Sequence, residues 1–171
     1  MPNWCEGVLK LRGLKKDLLN FAFNNLERYW YDGTQNAQIP LIENVDYTDF
    51  EITIPEHTIM EGRHSWVYFK NSKRMFLEKD LHWWFETNLN EEDKDIYTKV
   101  IDVRQAWDLD VDYLQKISQE YNLDVKITGF ESGMCFIRDI EIIRGTIFKN
   151  EEKNYKWQEY EWEVYDPRLG G

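Results

Sequence analysis

Twice along this chain a stretch with strand-like spacing feeds a stretch with helical spacing, and that repeated pairing constrains the fold more than any composition does. Val8-Leu9-Lys10-Leu11-Arg12 alternates in part like a strand, and Gly13 is expected to break it. Leu14, Leu18, Phe21, Ala22, Leu26 and Tyr29 then recur at helical spacing for about four turns. Leu19, Phe23 and Trp30 widen the apolar face, which places this helix on a sheet rather than at its edge. In the second instance Tyr97, Ile101 and Val103 alternate with charged neighbours. Asp108-Leu109-Asp110 then offers an N-cap, and Val111, Leu114, Ile117, Ser118 and Tyr121 form a helix face that Asn122 closes.

Further strands fall around these two units. Ser65 to Phe69 and Met75 to Leu77 read as a hairpin about Lys70-Asn71-Ser72-Lys73, and Phe50, Ile52 and Ile54 read as a half-exposed strand. His82-Trp83-Trp84-Phe85 fits a buried helix or a strand equally well. Val125 and Ile127 begin a strand that Glu131-Ser132-Gly133 interrupts, and Met134 to Phe148 is a long β-rich run. Tyr160, Trp162 and Val164 alternate with Glu159, Glu161 and Glu163, which predicts a last strand with one aromatic and one acidic face. Pairing it with the Ile140 to Phe148 run across Asn150 to Asn154 makes a closing hairpin. The order β-α-(β-β)-β-α-β predicts an α+β fold: a ferredoxin-like antiparallel sheet with two helices on one face, plus inserted strands and a C-terminal β-hairpin extension. At 171 residues the chain is expected to be a single domain, 1–171, with an acidic insertion over about 31–96 and the hairpin over about 134–166.

Charge narrows the partners. Against 21 Lys and Arg stand 32 Asp and Glu, a formal net charge of -11, whereas binding nucleic acid or an anionic membrane relies on clustered cations. A host protein with a basic, nucleic-acid-binding surface is the expected partner, with no direct nucleic acid, no membrane and a monomer or homodimer state. Between Tyr29 and Gly62 lie Asp32, Glu43, Asp46, Asp49, Glu51, Glu56 and Glu61 without a single Lys or Arg. Glu159, Glu161 and Glu163 on a strand face would stand about 6.5 to 7 Å apart, close to the phosphate repeat of a nucleic-acid strand. The candidate partner-binding residues are therefore Glu159, Glu161, Glu163, Asp46, Asp49 and Glu51. The alternative is a small nucleic-acid-binding module that stacks bases on sheet aromatics, of which 8 Trp, 10 Tyr and 9 Phe give ample supply. The one basic cluster, Lys70, Lys73, Arg74 and Lys79, reads as a solvated hairpin tip.

Catalytic and metal signatures are wanting. Asp108, Asp110 and Asp112 resemble half a calcium loop, but the sixth and twelfth positions are Tyr113 and Gln119 in place of Gly and Glu, so the three are expected to serve the helix start. His57, His64 and His82 are scattered, and neither GxSxG, GxxxxGK[ST] nor GxGxxG occurs. No catalytic residue, metal or cofactor is expected, and an enzyme without a recognisable motif is the remaining alternative. The two cysteines, Cys5 and Cys135, lack zinc spacing and read as small buried hydrophobes in a reducing compartment. With no signal-like leader and no apolar run near the ~20 residues of a membrane span, the expected location is the host cytoplasm.

Three short motifs carry a resemblance. Pro2-Asn3-Trp4-Cys5 before a strand, a Gly and a helix, Gln105-Ala106-Trp107 before the second helix, and Glu131-Ser132-Gly133 after it resemble the phage- and plasmid-encoded YubB ferredoxin-like family. Gly7, Asp108-Leu109-Asp110 and Ser132 depart from that family's Asn, Ser-Pro-Pro turn and Pro, and the likeness spans about residues 1 to 28 and 97 to 137. It implies the fold and a mobile-element origin, and no assigned chemistry; charge, size and this resemblance together give the expectation of a non-enzymatic interaction protein, such as an anti-CRISPR or other anti-defence inhibitor. Trp4 and Cys5 are accordingly expected to seal one end of the core beside Trp107 and Cys135, with Trp4→Ala costing about 3 kcal/mol or more.

Overall fold

The computed structural model describes residues 3–31, 36–39, 65–77 and 96–164. In chain order the elements are β1 (Trp4–Leu14), α1 (Lys15–Asn25), β2 (Leu26–Tyr31), β3 (Asn36–Ile39), β4 (Ser65–Phe69), β5 (Met75–Leu77), β6 (Ile96–Ala106), α2 (Val111–Glu120), β7 (Asp124–Glu131), β8 (Phe136–Ile143), β9 (Thr146–Asn154) and α3 (Trp157–Glu163). The strands join in one sheet in the order β3-β2-β4-β5-β6-β1-β7-β8-β9, every neighbouring pair antiparallel. The α+β class with an antiparallel sheet is as expected, but the nine strands among the described residues make a wider sheet than the ferredoxin-like one predicted.

β1 lies inside the sheet, paired with β6 along its whole length and with β7 from Glu6 to Arg12. Its odd positions Cys5, Leu9 and Leu11 are fully buried, as alternation on a half-covered strand requires. Leu9 faces Ile101 and Ile127 across the two ladders, and Ile127 in turn faces Ile140 of β8. Leu18, Phe21 and Ala22 of α1 and Tyr113, Leu114 and Ile117 of α2 cover that face in a continuous core. The two helices meet where Phe21 packs T-shaped against Tyr121, ring centroids 5.6 Å apart. Where β1 passes closest to β7, Gly7 faces Gly129. A Cβ on Gly7 would stand 2.1 Å from the Thr128 carbonyl oxygen, and one on Gly129 would strike Cys5 Sγ and Leu109. That close approach accounts for glycine at position 7.

Several boundaries differ from the sequence reading. Gly13 does not break β1, because it stays in the ladder opposite Tyr97. α1 stops at Asn25, and Leu26 to Tyr31 leave as β2, since an aromatic-rich run such as Tyr29-Trp30-Tyr31 favours a strand over a further helical turn. The β4–β5 hairpin is as expected, with Val67 facing Leu77 and Tyr68 facing Phe76. The run from Met134 to Phe148 is divided by a turn at Arg144 and Gly145, where φ is 46° and 84°. β8 therefore pairs with β9, and the expected hairpin of 134–166, closed by a turn over Asn150 to Asn154, does not form: those residues lie within β9 and pair with β8. The final segment, 157–163, is helical. Phe50 to Ile54 and His82 to Phe85 lie outside the described residues, as does most of the acidic insertion.

Candidate functional site

The three motifs that carried the resemblance meet at one end of the sheet. Trp4 pairs with Ala106 and Cys5 with Gln105, and the Trp107 backbone N–H donates to the Asn3 carbonyl at 2.8 Å. Asn3 also lies against Gly133, where an added Cβ would come within 2.6 Å of its side-chain nitrogen. Glu131 is almost wholly buried, yet its carboxylate is satisfied locally: Gly133 N–H donates to one oxygen at 3.0 Å and Met134 N–H to the other. The Glu-Ser-Gly motif is thus a turn held by its own glutamate. Gln105, fully buried, donates from Nε2 to the Lys73 carbonyl at 3.2 Å and accepts from Asp110 N–H at 2.9 Å. It ties the β4–β5 turn to the start of α2.

Trp4 and Cys5 point to opposite faces. Cys5 enters the core; burial pushes its thiol up to about 12, with Asp108 and Glu131 adding to the effect and Arg138 opposing it. Such a thiol is inert as a nucleophile at neutral pH. Because the folded chain disfavours the thiolate, Cys5 contributes stability that is fully present below its ordinary value of 9.0 and is lost as pH rises towards 12. Comparing urea unfolding of the native chain with Cys5→Ala across that window should show the steeper decline in the native chain. Cys135 is buried in the turn that Glu131 holds, and its carbonyl accepts from Tyr155 N–H at 2.9 Å.

Trp4 does not seal the core as expected. It lies half-buried on the face of the sheet opposite the helices, across the ladder from Ala106, packed edge-on against Phe76 at 5.8 Å. Phe76 in turn packs at a tilt against Tyr68, centroids 5.4 Å apart, and the Tyr68 hydroxyl donates to the Ser72 carbonyl at 2.5 Å. The guanidinium carbons of Arg104 and Arg74 stand 5.1 and 5.5 Å from the Trp4 ring centroid. Trp107 is 61% exposed, so it is no lid on the core either; its φ of 73° turns the chain from β6 towards α2.

The aspartates serve the helix start in two cases of three. Asp110 caps α2 by accepting from Tyr113 N–H at 3.2 Å, and Asp112 lies in the first turn. Asp108 accepts from Leu109 N–H and pairs with Arg138. Among the described residues no cluster of His, Cys, Asp and Glu could hold a metal ion. The basic hairpin tip is partly spent on its own neighbours, Lys70 pairing with Glu27 and Lys73 with Asp110. All three histidines lie outside the described residues, as do Lys79 and the candidate residues Asp46, Asp49 and Glu51.

Glu159, Glu161 and Glu163 are exposed, but not as a strand row. They lie on α3, where a rotation of about 100° per residue throws Glu161 to the side opposite the other two. The reason is local. β9 ends at Asn154, and the Glu159 carboxylate accepts from the Lys156 backbone N–H at 3.2 Å, fixing the first turn of a helix. Tyr160 then buries against Tyr155, centroids 6.1 Å apart. Trp157 and Trp162, 54% and 83% exposed, were not singled out by sequence reasoning, although Trp157, Tyr160 and Val164 already stand at helical spacing.

No protein-family model, curated protein or solved structure matches this sequence. Among the described residues no helix is long and apolar enough to cross a membrane.

Proposed function

We propose that the chain is a non-enzymatic interaction protein, encoded by a phage or other mobile element and acting in the host cytoplasm. It docks an acidic surface onto a host protein that handles nucleic acid, as an anti-CRISPR or other anti-defence inhibitor does. The observation that carries this reading is α3, where two exposed tryptophans stand among three exposed glutamates on a chain of net charge -11. Tryptophan is the residue most often found as an interface anchor, and surrounding carboxylates steer the encounter towards a cationic patch. In place of a phosphate-spaced strand row, the docking element is a short helix that presents Trp157 and Trp162 with Glu159, Glu161 and Glu163 around them.

The scaffold in this reading is a ferredoxin-like core. Its support is the order β5-β6-β1-β7 at the middle of the sheet, with α1 following β1 and α2 linking β6 to β7. That is the strand arrangement of a split βαβ fold, widened by β2, β3 and β4 on one side and by β8 and β9 on the other.

Immobilised full chain in host lysate tests the proposal. A nucleic-acid-binding protein should be retained at low salt, and released by added duplex DNA or by high salt. Joint replacement of Glu159, Glu161 and Glu163 by Lys, or Trp162→Ala alone, should abolish retention. Retention that survives both variants, or a retained protein with no nucleic-acid-binding surface, would overturn it.

A further inference from the structure

We propose that two copies of the chain associate about a twofold axis through one end of the sheet, the end at which Trp4, Ala106 and Glu131 stand. The ladders fix which loops lie there and in what order. Met75 pairs with Gln105, Ala106 with Trp4, Glu131 with Phe136, and Phe136 with Asn154. Along the row from β5 to β9, about 24 Å at the usual strand spacing, come the β4–β5 turn, the segment after β6, the start of β1, the β7–β8 turn and the start of α3.

Charge runs one way along this row. At the β4–β5 turn Lys73 and Arg74 are exposed, and the carboxylate that Lys73 meets lies beneath it: the Asp110 side chain is 8% exposed and that of the lysine 78%. The turn therefore shows cations to water. At the other extreme Glu159, Glu161 and Glu163 are exposed and outnumber Lys156 at the helix cap. Between the extremes stand two large exposed apolar side chains, Trp107 and Met134 at 61% and 68%. Trp107 is doubly unfavourable in its place, because its φ of 73° suits Gly or Asn and its indole is set in water. Strain retained to display an aromatic anchor is the mark of a contact site.

A row with cations at one end, carboxylates at the other and apolar side chains between them is its own complement when turned end for end. Rotation about the middle of the row sets the β4–β5 turn of each copy against α3 of the other. It also brings Trp107 to the partner's Met134, a pairing of thioether with indole. The groups involved already face water, so a rigid-body encounter makes these contacts. The dimer does not rest on host docking. Both use α3, so the host surface and the second copy compete for it.

The test uses the purified full chain with no host component, so its failure is separate from a failure of host docking. Sedimentation velocity at low salt should give twice the mass of one chain, falling towards one chain as salt rises. Trp107→Asn should weaken the dimer about tenfold or more. In dilute monomer the same variant should not lower the urea midpoint, because Asn accepts the left-handed backbone. Lys73→Glu with Arg74→Glu should leave a monomer, as should Glu159→Lys, Glu161→Lys and Glu163→Lys together. Mixing those two variants should restore a dimer of one copy each, since every contact then joins opposite charges. In a mixture of ¹³C-labelled and unlabelled chain, filtered NOEs should join the Trp107 indole to the partner's Met134 methyl. The Trp107 variant and the NOEs keep the test open if a charge-reversed chain fails to fold. A monomer at every concentration, a dimer that all of these variants leave intact, or intermolecular NOEs through other residues alone would overturn the proposal.

Discussion

β1 and α3 both interleave apolar with charged side chains, and they come to opposite ends. β1 has a strand on each side and two helices above it, so Cys5, Leu9 and Leu11 are completely buried and its backbone is hydrogen-bonded on both edges. α3 follows the edge strand β9 and has no ladder to join; it satisfies its backbone within itself and buries Tyr160 alone, leaving two tryptophans in water. Alternation therefore reports a strand only where neighbours exist to pair with it. The difference also divides the molecule by purpose. Side chains at the centre hold the fold, and those at the periphery are available for contact.

Substitutions can break or sharpen that contrast. Leu9→Ala removes a fully buried side chain between Ile101 and Ile127 and should cost about 3 to 5 kcal/mol in urea unfolding. A loss below about 1 kcal/mol would mean β1 is not the centre of the core. Glu131→Ala should cost about 2 kcal/mol, because the Gly133 and Met134 N–H groups lose their acceptor. Its signature would be amide exchange speeding up in the 132–135 turn before anywhere else. Trp4→Ala should cost about 1 to 2 kcal/mol, less than the 3 expected for a core tryptophan, since the ring is only half-covered. Trp162→Ala should leave the midpoint of unfolding within about 0.5 kcal/mol of the parent. A larger loss would show that α3 is part of the core and not a contact surface.

The unequal legibility of these regions has the same origin. β6, α2 and β7 were readable because Asp110 caps the helix, Asn122 ends it in a left-handed conformation, and the apolar period is unbroken between them. The β4–β5 hairpin was readable from its polar tip. The end of α1 was not, since Leu26 and Tyr29 fit the helical period as well as the strand they form, and only the partner strands β3 and β4 decide. The turn at Arg144-Gly145 was missed because its stabilising partner is remote. Gly145 lies against Gln119 of α2, where a Cβ would come within 2.8 Å of that side chain. The Arg104–Trp4–Arg74 cluster joins residues 70 and 100 positions from Trp4, a meeting that only the ladders of β1, β5 and β6 bring about.

Ser118 shows what such a remote partner does to the behaviour of the whole edge. Its buried hydroxyl donates to the Leu123 carbonyl at 2.6 Å while accepting from Gly145 N–H at 2.8 Å, and Gln115 reaches the Gly145 carbonyl from the same helix. The outermost hairpin is in effect latched to the helix above it, so peeling it from the sheet also unlatches the C-terminal turn of that helix. Fraying of the last two strands is then no independent event: it opens and recloses together with α2 as one foldon.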